Sequence, residues 1–234
     1  FRGRKTVSQR SIQNQQRGNT AVTLIGYWSL NENSGDAQDH TFNNNRGVLN
    51  GNVTQGATGI LGGTSYSFDG SGDYVELPDD SLFSVSKVTI SVWINRNGSK
   101  SEEYIFDGRG HQYWIKEEDG AEKPRFGLRI SGSSYGIVGS ELPNGDWTHV
   151  VGVYDGSQLK LFMDGELVNS TSAIGSIDES SGNQQIGRYQ GGGYNFQGKI
   201  QEVRLYNRPL TDSEVQYLYN VGKRGLHTTS RKSS

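Results

Sequence analysis

Hydrophobic and polar residues alternate with a period of two through most of this chain. Val88, Ile90, Val92 and Ile94 alternate with Thr89, Ser91 and Trp93, and Phe126, Leu128 and Ile130 alternate with Gly127 and Arg129. Val151 and Val153 alternate with Gly152 and Tyr154, and Leu159, Leu161 and Met163 with Lys160 and Phe162. Successive side chains of a strand point to opposite faces, so each run predicts a strand with one apolar side. Asp164-Gly165 follows the last run and predicts a hairpin, because a type I′ turn needs positive φ at both central residues; Glu166 to Asn169 is then the return strand. Lys199 to Tyr206 predicts another strand, with Ile200, Glu202, Arg204 and Tyr206 on one face and Gln201, Val203 and Leu205 on the other. One helix is predicted near the end. Thr211-Asp212-Ser213-Glu214 has the form of a capping box, and Val215, Leu218 and Tyr219 follow at helical spacing.

These elements predict an all-β fold: a two-sheet antiparallel β-sandwich (jelly roll) with one short C-terminal helix. The composition agrees, since 33 glycines and only 4 prolines in 234 residues suit many short strands joined by tight turns. The sandwich is expected over residues 23–222. Residues 1–22 read as a basic polar arm with Arg2, Arg4, Lys5, Arg10 and Arg17, and residues 223–234 as a basic tail. A net charge of −2 offers no global field for nucleic acid, so a solvated or assembly-contacting role suits both tails better. The absence of cysteine excludes disulfides, thiol chemistry and Cys-ligated zinc. No apolar run approaches the roughly 20 residues of a membrane span, no signal peptide is visible, and the chain begins at Phe1.

Four ordered segments carry a family likeness: Gly26 to Gly35 with Asp39 and the turn Asn43 to Gly47; Tyr66 to Val75 around Phe68-Asp69-Gly70; Asp146 to Val151 continued by Tyr154-Asp155-Gly156 and Phe162 to Gly165; and Phe196 to Leu210. Together they resemble the laminin-G-like jelly rolls of the concanavalin A-like lectin/glucanase superfamily, over about residues 25 to 220. The resemblance implies two stacked sheets, one often concave. Lectins, glycosidases and adhesion or assembly domains share that fold, so the fold alone selects no function.

Several side chains are candidates for chemistry. Glu117-Glu118-Asp119-Gly120-Ala121-Glu122 has the E-x-D-x-x-E spacing of the superfamily's retaining glucanases, which need two carboxyl groups about 5 Å apart. The residues between them favour a solvated turn instead. His40, His111, His149 and His227 are scattered, no nucleophile elbow is present, and His149 reads as a packed structural histidine. Tyr189 and Tyr194 flank Gly191-Gly192-Gly193, on a loop where tyrosines either stack on sugar faces or cover the sandwich rim. Trp114 and Tyr113 join them as candidate ligand-binding residues, with Tyr104 and Tyr135 as further aromatics of the middle strands. The resemblance also implies one structural calcium ion. Asp39 with the Asn43 and Asn44 carbonyls and Gln201 are the matching positions, against an Asx-turn at Asp39.

The expectation is therefore a non-catalytic, extracellular or surface-exposed binding or adhesion module that recognises a glycan or a partner protein. The alternative is a structural subunit of a surface filament, pilus-like fibre or virion that self-assembles through residues 1–22. A glycoside hydrolase is the third reading. Nucleic-acid binding and membrane insertion are not expected.

Overall fold

The computed structural model describes residues 23–60, 63–98, 102–118 and 120–229, the side chains of residues 225–229 excepted. The arm at residues 1–22, with the self-assembly read into it, and Asp119 lie outside the described residues.

Two antiparallel sheets stack face to face. One has seven strands, in spatial order β10 (Ser133–Val138), β9 (Pro124–Ile130), β8 (Tyr113–Glu117), β7 (Tyr104–Asp107), β14 (Gln184–Ile186), β5 (Tyr74–Leu77) and β2 (Val48–Asn50). The other has eight: β13 (Glu166–Ser172), β12 (Gln158–Met163), β11 (Trp147–Tyr154), β6 (Val88–Arg96), β15 (Gln197–Tyr206), β4 (Thr64–Asp69) and β3 (Thr54–Thr58), with β1 (Leu24–Trp28) also paired to β15. The core between them holds the inward sets that alternation assigns: Val88, Ile90, Val92 and Ile94 from β6, Phe126, Leu128 and Ile130 from β9, and Leu159, Leu161 and Met163 from β12. Asp164 and Gly165 turn β12 into β13 with φ of 50° and 86°, the backbone a type I′ hairpin demands.

Alternation fails within β15. The β15–β6 register shifts between Gln201 and Arg204, and Glu202 sits at φ 59°. This bulge brings Ile200 into the core with Val203 and Leu205, rather than onto the side of Glu202 and Arg204. Glu202 is instead buried beside Arg204, which it pairs, and accepts a 3.0 Å hydrogen bond from the Tyr27 hydroxyl.

The helix, α1 (Asp212–Thr229), covers the outer face of the eight-stranded sheet. Its capping box forms: the Glu214 amide donates to Thr211 Oγ1, and the Glu214 carboxylate accepts from the Thr211 amide at 2.9 Å. Val215 packs with Val151, Val153 and Phe162, and Tyr219 stacks on Trp93 at 5.7 Å. The helix continues past residue 222, so the segment read as a tail begins helically. With α1 on one sheet, the outer face of the seven-stranded sheet is the one left without a helix among the described residues.

Candidate functional site

On β8, Tyr113 and Ile115 face the core, so Trp114 and Lys116 face outward. β9 repeats the pattern with Gly127 outward between Phe126 and Leu128, and Gly127 stands opposite Trp114 in the ladder. The missing Cβ lets the indole lie flat there: a methyl group on Gly127 would come within 2.5 Å of the Trp114 ring. His111 then stacks on the upper side of Trp114, centroids 4.1 Å apart and planes 13° apart.

His111 is fixed by its own backbone and by a buried acid. It occupies φ 61°, a left-handed conformation rare for a residue with a side chain. Its Nδ1 lies 2.8 Å from Asp107 Oδ1, and Asp107 Oδ2 accepts a 2.9 Å bond from the Gln190 amide. Asp107 is fully buried, and that burial pushes its carboxyl up, against the pull of His111 and the Gln190 amide. In the neutral tautomer that donates from Nδ1 to Asp107, Nε2 is left as an acceptor for a ligand hydroxyl.

The loop after β14 supplies the walls. Asn195 bridges to Tyr104 of β7, and the Tyr104 amide donates to the Tyr194 carbonyl at 2.9 Å. Tyr189 stands perpendicular to His111 at 5.1 Å and edge-on to Tyr194 at 5.9 Å, while Tyr104 lies 5.1 Å from Tyr189 beneath them. Burial raises the Tyr104 hydroxyl, with the Asp107 and Glu102 carboxylates adding to the shift, so it remains a neutral phenol. Tyr194 is 50% exposed, and Tyr189 and His111 are half-buried. Two buried polar atoms of the cluster, Trp114 Nε1 and Asn195 Oδ1, have no hydrogen-bond partner among the described residues. The result is a rigid corner of aromatic faces with polar atoms between them, suited to a ligand bearing both C–H faces and hydroxyls.

Of the four aromatic residues singled out in the sequence, Tyr189, Tyr194 and Trp114 meet here. Tyr113 does not: its ring is wholly in the core and its hydroxyl donates to the Phe83 carbonyl at 2.9 Å. Strand alternation places Tyr113 and Trp114 on opposite faces, which is the reason for that correction. Asp107 and His111 were not recognised as site residues, although an acid and a histidine flanking Gly108-Arg109-Gly110 across a tight turn were visible in the sequence.

The positions matched to calcium are engaged within the protein. Asp39 accepts from the Tyr27, Thr41 and Asn45 amides and from the Thr41 hydroxyl, at 2.8–3.2 Å. The Asn43 amide group donates to the Ile25 carbonyl, Asn44 takes φ 58° in the same turn, and Gln201 Oε1 accepts from the Ile60 amide at 2.7 Å. An ion at Asp39 has to displace several of these bonds.

The acidic stretch begins inside β8 with Glu117, and only its later residues form the expected turn. Glu117 is buried, and Arg96 Nε lies 3.2 Å from both of its carboxylate oxygens, while Arg96 also pairs with Glu122 at 3.4 Å. Burial pushes the Glu117 carboxyl up despite the guanidinium. The two carboxylates thus bracket an arginine rather than a substrate cleft. His149 is a packed residue, with Nε2 2.9 Å from the Ser91 hydroxyl and its ring against Trp93. A cavity of about 330 Å³ at the foot of α1, beside the Arg208–Glu214 ion pair, lies on the opposite sheet from the aromatic corner.

Comparison with known proteins places this architecture. Residues 69–216 match the Laminin G 3 family, of the concanavalin A-like lectin/glucanases superfamily. Pappalysin-1 of Mus musculus is 26% identical over 184 residues, covering 69% of this chain and 11% of that protein, so the chain spans about a tenth of this curated relative's length. Domain 4 of AbnA, a GH43 extracellular arabinanase from Geobacillus stearothermophilus in complex with arabinotriose, superposes with a TM-score of 0.69 at 23% identity, over 84% of this chain and 98% of that one. The binding domain of Paraclostridial Mosquitocidal Protein 1 gives a TM-score of 0.67 at 17% identity, over 85% of this chain and 52% of that one. The binding domain of botulinum neurotoxin DC in complex with SialylT gives 0.67 at 14% identity, over 86% and 52%. At these identities the structural likeness carries the fold alone; with the family match over residues 69–216, the chain belongs to the concanavalin A-like lectin/glucanases superfamily.

Proposed function

We propose that this chain is a non-catalytic, extracellular glycan-binding module whose ligand sits in the corner formed by His111, Tyr189 and Tyr194 above Trp114. The observation that carries the reading is the convergence of four aromatic rings, Tyr104, Trp114, Tyr189 and Tyr194, from three chain segments around one histidine, itself held by a buried carboxylate. A pyranose or furanose ring presents a C–H face to an aromatic plane and hydroxyls at its rim. Here the rings offer the plane, and His111 Nε2 offers an acceptor.

The non-catalytic half of the reading draws support from the ion pairing of Glu117 and Glu122 with Arg96. Binding domains of other proteins among the structural neighbours support the module half. The experiment is a glycan-array screen of the full chain followed by titration calorimetry of the best ligand against Tyr194→Ala and Tyr189→Ala. Each substitution is expected to weaken binding at least tenfold with the fold intact by circular dichroism. Unchanged affinity in both variants refutes the site, and hydrolysis of the bound glycan refutes the non-catalytic assignment.

A further inference from the structure

Six arginines of the described sandwich have a carboxylate partner: Arg46, Arg96, Arg109, Arg125, Arg204 and Arg208. Arg188 and Arg129 have none among the described residues, and the backbone of each adjoins the aromatic corner. Arg188 precedes Tyr189 in the chain. Its guanidinium lies 3.5 Å from the centroid of the Tyr74 ring on β5, and its Nε donates to Gln185 Oε1 at 2.9 Å. The group is thereby oriented by a stacking face and a side-chain amide, with its two terminal nitrogens uncommitted to any acid. Arg129 projects outward from β9 on the far side of Trp114. Its amide donates to the Gln112 carbonyl, next to His111, and its own guanidinium reaches only the Gly132 carbonyl, at 3.3 Å.

A half-buried arginine that is held in place yet left without a carboxylate is a ready site for a ligand's negative charge, because the guanidinium fork matches two oxygens of a carboxylate or sulfate. Resting on the glycan-binding reading above, we infer that the ligand is an acidic oligosaccharide, with an anionic group on Arg188 next to the sugar ring in the Tyr189–Tyr194 corner. Arg129 extends the same surface for a charge on a neighbouring unit. Carboxylated and sulfated sugars share this chemistry and are separated by the test.

The test compares neutral, carboxylated and sulfated oligosaccharides of matched length for binding to the full chain, wild type and with Arg188→Ala or Arg188→Lys, at low and at physiological salt. At least one acidic class is expected to bind tenfold or more tighter than the neutral one. Arg188→Ala should abolish that preference and leave neutral-sugar affinity within twofold, while Arg188→Lys restores only part of it, because lysine keeps the charge and loses the fork. The class that loses more in the lysine variant is the one read bidentately. Equal binding of acidic and neutral sugars, or an Arg188→Ala loss that is the same for both, overturns the inference and leaves the glycan-binding reading standing. If no glycan of any class binds, both readings fall.

Discussion

Gly127→Ala tests whether the sheet itself builds the binding corner. Gly127 lies in β9 with no positive φ, so alanine is compatible with the backbone, and the nearest obstacle is the indole above it. The added methyl group meets Trp114 Cε2 and Cζ2 at 2.5 Å and Nε1 at 2.7 Å. Ordinary contact requires the ring to retreat by about 1 Å, and overpacking of this kind costs about 1–3 kcal/mol. Trp114 cannot retreat alone, since His111 is stacked on it at 4.1 Å and tied to Asp107 at 2.8 Å. The shift is therefore passed to the face the ligand meets. In differential scanning calorimetry the variant should melt roughly 2–12 °C lower, taking 2–4 °C per kcal/mol for a domain of this size. In calorimetric titration with the best glycan it should bind at least tenfold more weakly. Gly136→Ala is the control: Gly136 is the ladder partner of Gly127, but its methyl group meets the end of the flexible Arg125 side chain, at 2.6 Å. That variant should lose less than about 0.5 kcal/mol and bind normally. If Gly127→Ala keeps both its melting temperature and its affinity, the indole is not what positions His111, and the reasoning fails.

Three further outcomes follow from the geometry. Tyr113→Phe removes a buried donor from the Phe83 carbonyl and should cost about 1–3 kcal/mol in denaturant unfolding, with glycan affinity unchanged because the hydroxyl faces the core. His149 is held neutral by burial, with a neighbouring contribution from Arg204, and its folded value is lowered to about 3 from an ordinary 6.5. The unfolded chain therefore binds the proton that the fold excludes. Stability from this group is fully present above pH 6.5 and is lost as pH falls from there towards about 3; His149→Gln should flatten that slope in a series of unfolding curves, and an unchanged slope excludes His149 as its source. At Asp39, four protein donors occupy the carboxylate, so melting with calcium and with a chelator should coincide; a calcium-dependent rise in melting temperature means that the turn opens to take the ion.

Period two carried far in reading this sequence because a strand in a sandwich has one dry face and a side chain on the wrong face exposes itself. The inward sets of β6, β9 and β12 followed directly, and so did the Asp164-Gly165 hairpin, whose turn chemistry is local. Glu202 was beyond that logic. A bulge at a glutamate with φ 59° is stabilised by Tyr27 and Arg204, and Tyr27 is 175 residues away in the chain. The site was partly legible. Ile115 faces the core, so the same alternation that aligns Tyr113 with it sends Trp114 outward beside Lys116. The meeting of Trp114 with Tyr189 and Tyr194 depends on the Tyr104–Asn195 bridge and on the space above Gly127, neither of which has a local signal. Arg188 was hidden for a related reason: its partner Tyr74 belongs to β5, which neighbours β14 in the sheet but lies far from it in the chain.

The claim that the helix-free face of the seven-stranded sheet is the recognition surface is tested most directly by mapping ligand-induced chemical-shift changes on the isotope-labelled chain during titration with an acidic oligosaccharide. The account predicts shifts concentrated in residues 104–114 and 187–196 and at Arg129, with the Trp114 indole resonance among the largest. Shifts confined to the turn at 39–47, to the edge strand β13 or to α1, with the Trp114 indole unmoved, contradict it.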